Sequence, residues 1–281
     1  MGYIIGSLNT RHFSGVGTHN ENKMAEIILS EQFDIVALQE VKRKEAIDYL
    51  LQRLPGWAGD YGKSQSDSDY GNNIDSEGGG LGFAFLWNTR RVTECSKDGH
   101  PEIITYKSSA MARKPYYGRF SPSGLIGGSF FEIRLINIHL WHGQSYSEGT
   151  LKRLGEFQLV TDDIYSYISN RRYGDFRPAY TVILGDYNFS AVYCQRAVGD
   201  ADARYFVNTK QEEKTTISKE NSKYASNYDH FSYNEKRFES SDLIVERVES
   251  VGKYMDNDFE KHWQEVSDHV PIKLEIILNA R

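Results

Sequence analysis

The sequence predicts an α+β protein of two stacked sheets with helices on the outside. Three observations predict it. Apolar runs with the composition of buried strands recur along the chain, and strands covered on both faces read as continuous apolar runs. Stretches with apolar residues at spacings of three and four separate them, which is the period of a half-buried helix. Each half repeats strand, helix, strand with no linker between, so residues 1–281 are expected to form one domain.

The elements follow in order. YIIGSLN reads as a strand ending at Asn9. After a polar loop, Asn20 or Asn22 caps a helix carrying Met24, Ile27 and Ile28. Phe33 to Gln39 is the next strand, with Glu40 at its exit. A second helix runs through Ala46, Tyr49, Leu50 and Leu54 and stops at Pro55-Gly56.

Residues 62–80, rich in Gly, Ser, Asp and Asn, read as a long exposed loop. Within it, DSDYGNNIDSEGGG has the look of a calcium loop. Gly71 falls one place early and Gly78 stands where the bidentate Glu belongs, so no calcium hand is expected. GLGFAFLW and RKPYYGRF follow as strands.

FFEIRLINIHL is a strand with His139 near its exit, and a long helix with Leu151, Leu154, Phe157, Ile164 and Ile168 on one stripe comes next. TVILGDYN is the following strand. Gly185 ends its apolar run, and in extended chain Asp186 and Asn188 share a face and point into one pocket. The alternative is a strand closed by an Asx-turn. Residues 208–226 read as an exposed polar insertion. NYDHFSY carries Asp229, and EVSDHVPI sets Asp268 and His269 before the closing strand PIKLEIIL.

Bulk properties narrow the function. A net charge of −6 opposes broad, non-specific grip on polyanions. It leaves room for a local basic rim, with Arg11, Lys42, Arg43, Lys44, Arg113, Lys114 and Arg119 as candidates. Cys95 and Cys194 form no metal or redox spacing. No apolar stretch nears the ~20 residues needed to span a bilayer. MGYIIGSLN lacks a basic leader and runs straight into a strand. A cytoplasmic protein, or a mature chain whose leader was removed, is expected.

The strand-end groups have one chemistry in common. Glu40 and Asp268 are hard oxygen ligands and Asn9 adds a carbonyl oxygen, a set that suits Mg²⁺ or Mn²⁺ rather than structural zinc. His139 and His269 can move protons near neutrality. Asp229 or Asp186 can orient an imidazole, and Asp186 with Asn188 can position water. Metal, imidazole and carboxylate together fit phosphoester hydrolysis. No phosphate-cradling glycine loop and no G-x-S-x-G elbow is present.

The segments SLNTRHF, DIVALQEV, ARKPYYGRF, INIHL, VILGDYNFSAVY, NYDHF and SDHVPI carry a family resemblance over nearly the whole chain. The sequence resembles the endonuclease/exonuclease/phosphatase superfamily, most of all its deoxyribonuclease I type. LQE, GDYN and SDH in this order are fairly specific to the superfamily and weak for choosing a substrate within it.

The resemblance implies a four-layer α/β/β/α sandwich of two mostly antiparallel sheets. It implies that Glu40, Asn9 and Asp268 hold the divalent metal, and that His139 and His269 flank the scissile phosphate. Asp229 then orients His269, and Asp186 and Asn188 lie at the phosphate. Arg11, Lys42, Arg113 and Tyr193 match positions that contact the nucleic-acid backbone. One departure stands out: the family glutamate that supports the first histidine, just before the GFAFLW strand, is replaced by Leu81, with Glu77 the nearest acid.

The implied activity is metal-dependent hydrolysis of nucleic acid, most of all DNA, as an endonuclease. The alternative is a phosphatase or phosphodiesterase on a small-molecule, inositol or lipid phosphate, although NYDHF lacks the W-T-D-R-I-like form of the inositol enzymes. A scaffold with a vestigial site is the third reading. His12, His19, His100, His142, His230 and His262 are expected in ordinary surface or hydrogen-bonding roles, with His142 and His230 nearest the predicted site. Trp87, Trp141 and Trp263 are expected as core or rim aromatics.

Overall fold

The computed structural model describes residues 2–15, 19–64, 81–96, 98–124, 131–142, 146–173, 178–197, 213–234, 238 and 241–278. In chain order the elements are β1 (Gly2–Phe13), α1 (Glu21–Ser30), β2 (Ile35–Val41), α2 (Lys44–Leu51), β3 (Trp57–Lys63), β4 (Gly82–Asn88), β5 (Val92–Glu94) and β6 (Glu102–Ile103). They continue with β7 (Tyr116–Pro122), β8 (Glu132–His139), α3 (Tyr146–Gln158), a π-helical stretch (Leu159–Ile164), α4 (Tyr165–Asn170), β9 (Ala179–Asp186) and α5 (Ala191–Ala197). The last are β10 (Ile217–Ser218), β11 (Lys223–Tyr224), β12 (Asp229–Tyr233), β13 (Ser241–Arg247), α6 (Ser250–Met255), α7 (Phe259–Glu265) and β14 (Ile272–Leu278).

One sheet runs β13-β14-β1-β2-β4-β3 and the other β12-β9-β8-β7-β5, with β6 beside β7. In each, a central pair is parallel, β1 with β2 and β8 with β9, and the pairs around it are antiparallel. A parallel pair needs a crossover. Helix α1 supplies the first, and α3 with the π-helical stretch and α4 supplies the second.

Alternation along each strand divides its side chains between two cores. Ile5, Ile35, Ala37, Phe83 and Phe85 of one sheet meet Leu135, Val182, Leu184 and Phe231 of the other. Val36, Leu38, Ala84 and Leu86 pack with Met24, Ile28 and Ile47 of the helices. Ile136, Ile138 and Ile183 pack with Phe157, Ile164 and Ile168 on the opposite side. The layers are therefore helices, sheet, sheet, helices. Each buried Ile, Leu or Phe contributes about 1.5–3 kcal/mol, which explains why these strands read as unbroken apolar runs.

Between the sheets the apolar core gives way to a polar layer. Gln39, Ser7 and Asn137 are fully buried. Gln39 Nε2 donates to Ser7 Oγ at 3.1 Å and to Asn137 Oδ1 at 2.8 Å, and Asn137 Nδ2 donates to the Leu38 carbonyl at 3.0 Å. This layer ties sheet to sheet. One step further along the same faces come Asn9, His139 and Asp186.

Several elements depart from the sequence reading. Asn20 does cap α1, accepting from the Lys23 amide. Helix α2 ends at Leu51 and Tyr49 is 41% exposed, so Tyr49 leaves the expected stripe. The long second crossover is broken by the π-helical stretch, and Leu151 is 69% exposed. Residues 213–226 are exposed only in part: 219–223 are exposed as expected, but Thr215 and Ile217 are buried and β10 pairs with β11. Residues 208–212, most of the 62–80 loop and Glu77 lie outside the described residues. Cys95 and Cys194 are both free thiols. No helix among the described residues is long and apolar enough to cross a membrane.

Candidate active site

The site lies at one edge of the sandwich. The parallel strands β1, β2, β8 and β9 deliver their carboxyl ends there, and β12 and β14 begin there. Carboxyl ends of parallel strands are the usual place for ligands in open sheets.

Strand β2 shows how a simple alternation is broken to serve this edge. Leu38 and Val41 both face the helices, so Glu40 would ordinarily follow Leu38. Instead the pairing to β4 slips between Gln39 and Val41, and Glu40 takes a φ of 58°. The bulge re-aims its carboxylate toward Asn9. Strand β1 breaks opposite it, between Asn9 and Phe13, with Arg11 at φ 44° and His12 at φ 62°. Left-handed conformations in non-glycine residues are strained, and such strain gathers at functional sites.

Sheet register brings the other groups together. His139 pairs with Asp186, and Asp186 pairs with Asp229, on three adjacent strands. Gly185 makes this possible. It has φ 137°, and a side chain there would overlap the Ile138 carbonyl oxygen.

Asp186 is the meeting point. Its Oδ2 accepts from Asn9 Nδ2 at 2.9 Å and stands 3.5 Å from His139 Nε2 and 3.8 Å from His269 Nε2. Its Oδ1 accepts the Asn188 backbone amide at 2.8 Å. The Asx-turn reading holds through one oxygen of Asp186, while the other faces Asn9 and the two histidines. Asn188 departs from the expected shared face. It lies beyond the strand at φ 54°, donates to the Leu140 carbonyl at 2.9 Å and meets His142 Nδ1 at 3.1 Å.

The two histidines differ in charge. His269 Nδ1 stands 2.7 Å from Asp229 Oδ2. Burial alone would discharge it, but Asp229, with Asp186 and Asp268 beyond, raises its pKa far above the ordinary value and keeps an imidazolium. His139 has no carboxylate as close: Asp186 stands 3.5 Å from its Nε2 and Glu40 3.7 Å. Burial first, then Arg113 and His269, push it well below its usual value, so it is neutral. Its buried Nδ1 has no hydrogen-bond partner among the described residues. Leu81 offers none where the family glutamate was expected. Burial raises the Asp186 pKa, opposed in part by His269.

Asn9 donates through Nδ2 to Glu40 Oε1 at 3.1 Å as well as to Asp186, and its Oδ1 takes the Arg11 amide at 2.9 Å. Asp268 is half-buried and accepts the Ser267 hydroxyl at 3.3 Å, while its carbonyl takes the Ile217 amide. Arg11 lies near Glu40 and Asp268, with its guanidinium 3.4 Å from the centre of the Trp263 ring. Lys42 follows the β2 bulge. Arg113 is buried, donating to the Leu140 carbonyl at 3.2 Å. Tyr193 packs edge-on to Phe189 on α5.

Much of the expected basic rim is engaged elsewhere. Arg43 donates to the Ser14 carbonyl, and Lys44 pairs with Asp48 one helical turn on. Arg119 is no rim residue: it is buried in β7 and ion-paired to Glu132 at 2.6 Å.

Sequence reasoning missed several contributors. His12 lies at the site, with Nε2 3.4 Å from Glu40 Oε2. Ser267 donates to the Asn9 carbonyl at 2.7 Å and accepts the His269 amide. Thr215 Oγ1 accepts the amides of Tyr228 and Asp229, and its carbonyl takes the Val270 amide. His262 is buried between Ser250 Oγ and the Ser267 carbonyl, bracing the same turn. His230 is buried and bonded to the Phe189 carbonyl, the ordinary hydrogen-bonding role expected of it. Only Thr215 had a legible signal, as a threonine pair inside an otherwise charged stretch.

The donor chemistry fits a hard divalent cation. Glu40 and Asp268 offer carboxylate oxygen, whereas Asn9 departs from the expected ligand role: its amide nitrogen faces Glu40 and Asp186, and its Oδ1 accepts the Arg11 amide. Among the described residues no three His, Cys, Asp or Glu side chains stand in metal-holding geometry. Such an ion would rest on one or two carboxylates and keep its waters.

The fold is that of the endonuclease/exonuclease/phosphatase proteins. A Bacteroides thetaiotaomicron structure described as a member of that family matches with a TM-score of 0.62 at 14% identity, over 100% of this chain and 99% of that one. TDP2 from D. rerio, complexed with single strand DNA product, matches with a TM-score of 0.64 at 17% identity over 99% of both chains. The human Nocturnin catalytic domain with bound sulfate anion matches at 0.61 and 16%, over 99% and 95%. At these identities the likeness is one of fold. No family model and no curated protein matches the sequence.

Proposed function

We propose that the chain is a divalent-metal-dependent phosphodiesterase that cuts a nucleic-acid backbone, as a DNA endonuclease. The observation that carries this reading is the convergence on Asp186 Oδ2 of Asn9, His139 and His269, with Glu40 beside them. These groups come from both sheets and from both ends of the chain.

Each residue then has a role. The His269 imidazolium, fixed by Asp229, binds a non-bridging phosphate oxygen and offsets the charge that builds in the transition state. Being charged, it takes no proton from water. Asp186, whose basicity burial has raised, takes the proton of the attacking water. Asn9 orients Asp186, and neutral His139 donates a hydrogen bond through Nε2 to hold the phosphate in line. Glu40, with Asp268, would hold Mg²⁺ or Mn²⁺, which when bound supplies Lewis-acid stabilisation of the leaving oxygen. Arg11 and Lys42 meet the flanking phosphates. The fold shared with the TDP2 that holds a single strand DNA product supports the choice of nucleic acid.

A small phosphoester is the second reading. It is favoured by the internal engagement of Arg43, Lys44 and Arg119, which shortens the basic rim. Incubation of supercoiled plasmid, linear duplex, RNA and a panel of phosphomonoesters, with Mg²⁺, Mn²⁺ or chelator, separates the two. Metal-dependent nicking that disappears in His139→Ala and Asp186→Ala supports the nuclease. Phosphate release from monoesters with the plasmid intact overturns it in favour of the second reading.

A further inference from the structure

Glu156 lies on α3, outside the cluster described above, yet it is only 4% exposed. A buried carboxylate is costly unless its oxygens are bonded. Both are. Oε1 accepts the Ala112 amide at 2.7 Å and Oε2 accepts the Trp141 amide at 2.8 Å. These amides belong to the two loops that matter most on this side of the site. Ala112 precedes Arg113, and Trp141 follows the His139-Leu140 exit of β8. The circuit closes on itself, because Arg113 Nη1 donates to the Leu140 carbonyl at 3.2 Å and stands 3.5 Å from that of His139. Asn188 Nδ2 reaches the same Leu140 carbonyl at 2.9 Å.

We propose that Glu156 is a positioning residue that sets Arg113 and the His139 strand end in register for phosphoester cleavage. This rests on the reading given under Proposed function. The carboxylate is suited to the task because its two oxygens accept from two separate loops at once. A glutamine keeps the shape but offers one oxygen, and its amide nitrogen would face a backbone N–H. It therefore holds one loop and releases the other. Glu156 acts through the two loops that Arg113 ties together at the Leu140 carbonyl, so its effect depends on Arg113, and it touches no substrate.

The test is a double-mutant cycle on Mg²⁺-dependent cleavage of a fluorophore-labelled DNA oligonucleotide. Wild type, Glu156→Gln, Arg113→Ala and the double variant are compared by kcat and KM separately, with thermal melting as a control for folding. Glu156→Gln is expected to lower kcat/KM by about 10–100-fold. In the Arg113→Ala background the same change is expected to cost less than about threefold, since coupled residues are non-additive. Wild-type kcat/KM in Glu156→Gln, or losses that multiply in full in the double variant, overturn the proposal. If Glu156→Gln does not fold, Glu156→Asp, which keeps both oxygens on a shorter arm, is put through the same cycle with the same criteria. An inactive wild type sinks the functional reading instead, so the two failures are told apart.

Discussion

Asp229 Oδ2 and His269 Nδ1 stand 2.7 Å apart, joining residues 40 positions apart in sequence. Asp229 opens β12 in one sheet, and His269 sits just before β14 in the other, so this ion pair crosses the sandwich at its reactive edge. Its charge has a sign that can be checked. Asp229→Asn removes the acid that keeps His269 protonated, so the imidazolium is lost at lower pH and the alkaline limb of the pH–rate profile moves down. The raised pKa stabilises the fold fully below about pH 6.5 and fades as pH climbs through the folded value. Asp229→Asn is expected to lower kcat by about 10²–10⁴-fold, read from pH–rate profiles of both proteins.

Acid should unfold the protein by a different route. His19, His230 and His262 are buried, and burial holds each of them down to about 4. The unfolded chain binds protons near pH 6.5, so stability is present above that pH and is lost as pH falls toward 4. Each histidine accounts for about 3 kcal/mol across this window. Urea melts at pH 7, 5.5 and 4.5 check the slope, and His230→Asn is expected to flatten it by about one proton. An unchanged slope in that variant would contradict the assignment.

Gly185→Ala tests the close approach of β8 and β9. The added carbon overlaps the Ile138 carbonyl, and φ 137° is hostile to any side chain. The expected cost exceeds about 4 kcal/mol, visible as loss of soluble protein or a melting point lowered by more than about 10 °C.

Thr215→Val removes the hydroxyl that accepts the Tyr228 and Asp229 amides while keeping the side-chain shape. Two donors are left without that partner, at about 1–3 kcal/mol each. Activity is expected to fall as well, since Asp229 loses its seat. A stable variant with wild-type kcat would show that the Thr215 hydroxyl is unnecessary for the ion pair.

Glu40→Gln keeps the shape of the bulged residue and removes its charge. The Mg²⁺ concentration for half-maximal activity is expected to rise on the order of 10–100-fold, with direct Mn²⁺ binding by calorimetry weakened in parallel.

The buried strands were legible because a doubly covered strand has no choice but to be apolar, and Val182, Leu184, Ile35 and Ala37 say so directly. The strand-end residues were legible by contrast, since Glu40, His139 and Asp186 interrupt that demand. Asn188 was misread because extended geometry was carried two residues past the strand, into a left-handed turn. Leu151 was misread because it lies six residues before Phe157 within the regular helix α3, roughly 120° away around the axis at 3.6 residues per turn. Ser267 was hidden altogether, and Thr215 marked only by its threonine pair, for another reason. They hold the site through backbone amides, and such partners depend on where distant loops arrive.

The fully buried Gln39 side chain carries one more implication. It grips Ser7 within its own sheet and Asn137 in the facing one, directly behind the reactive edge. Half of the chemistry rides on one sheet and half on the other, so the alignment of the sheets is itself a machining tolerance. The Gln39 and Asn137 amides work as the dowel that locates the two plates, and loosening it would blur the geometry of every group above without altering any of them.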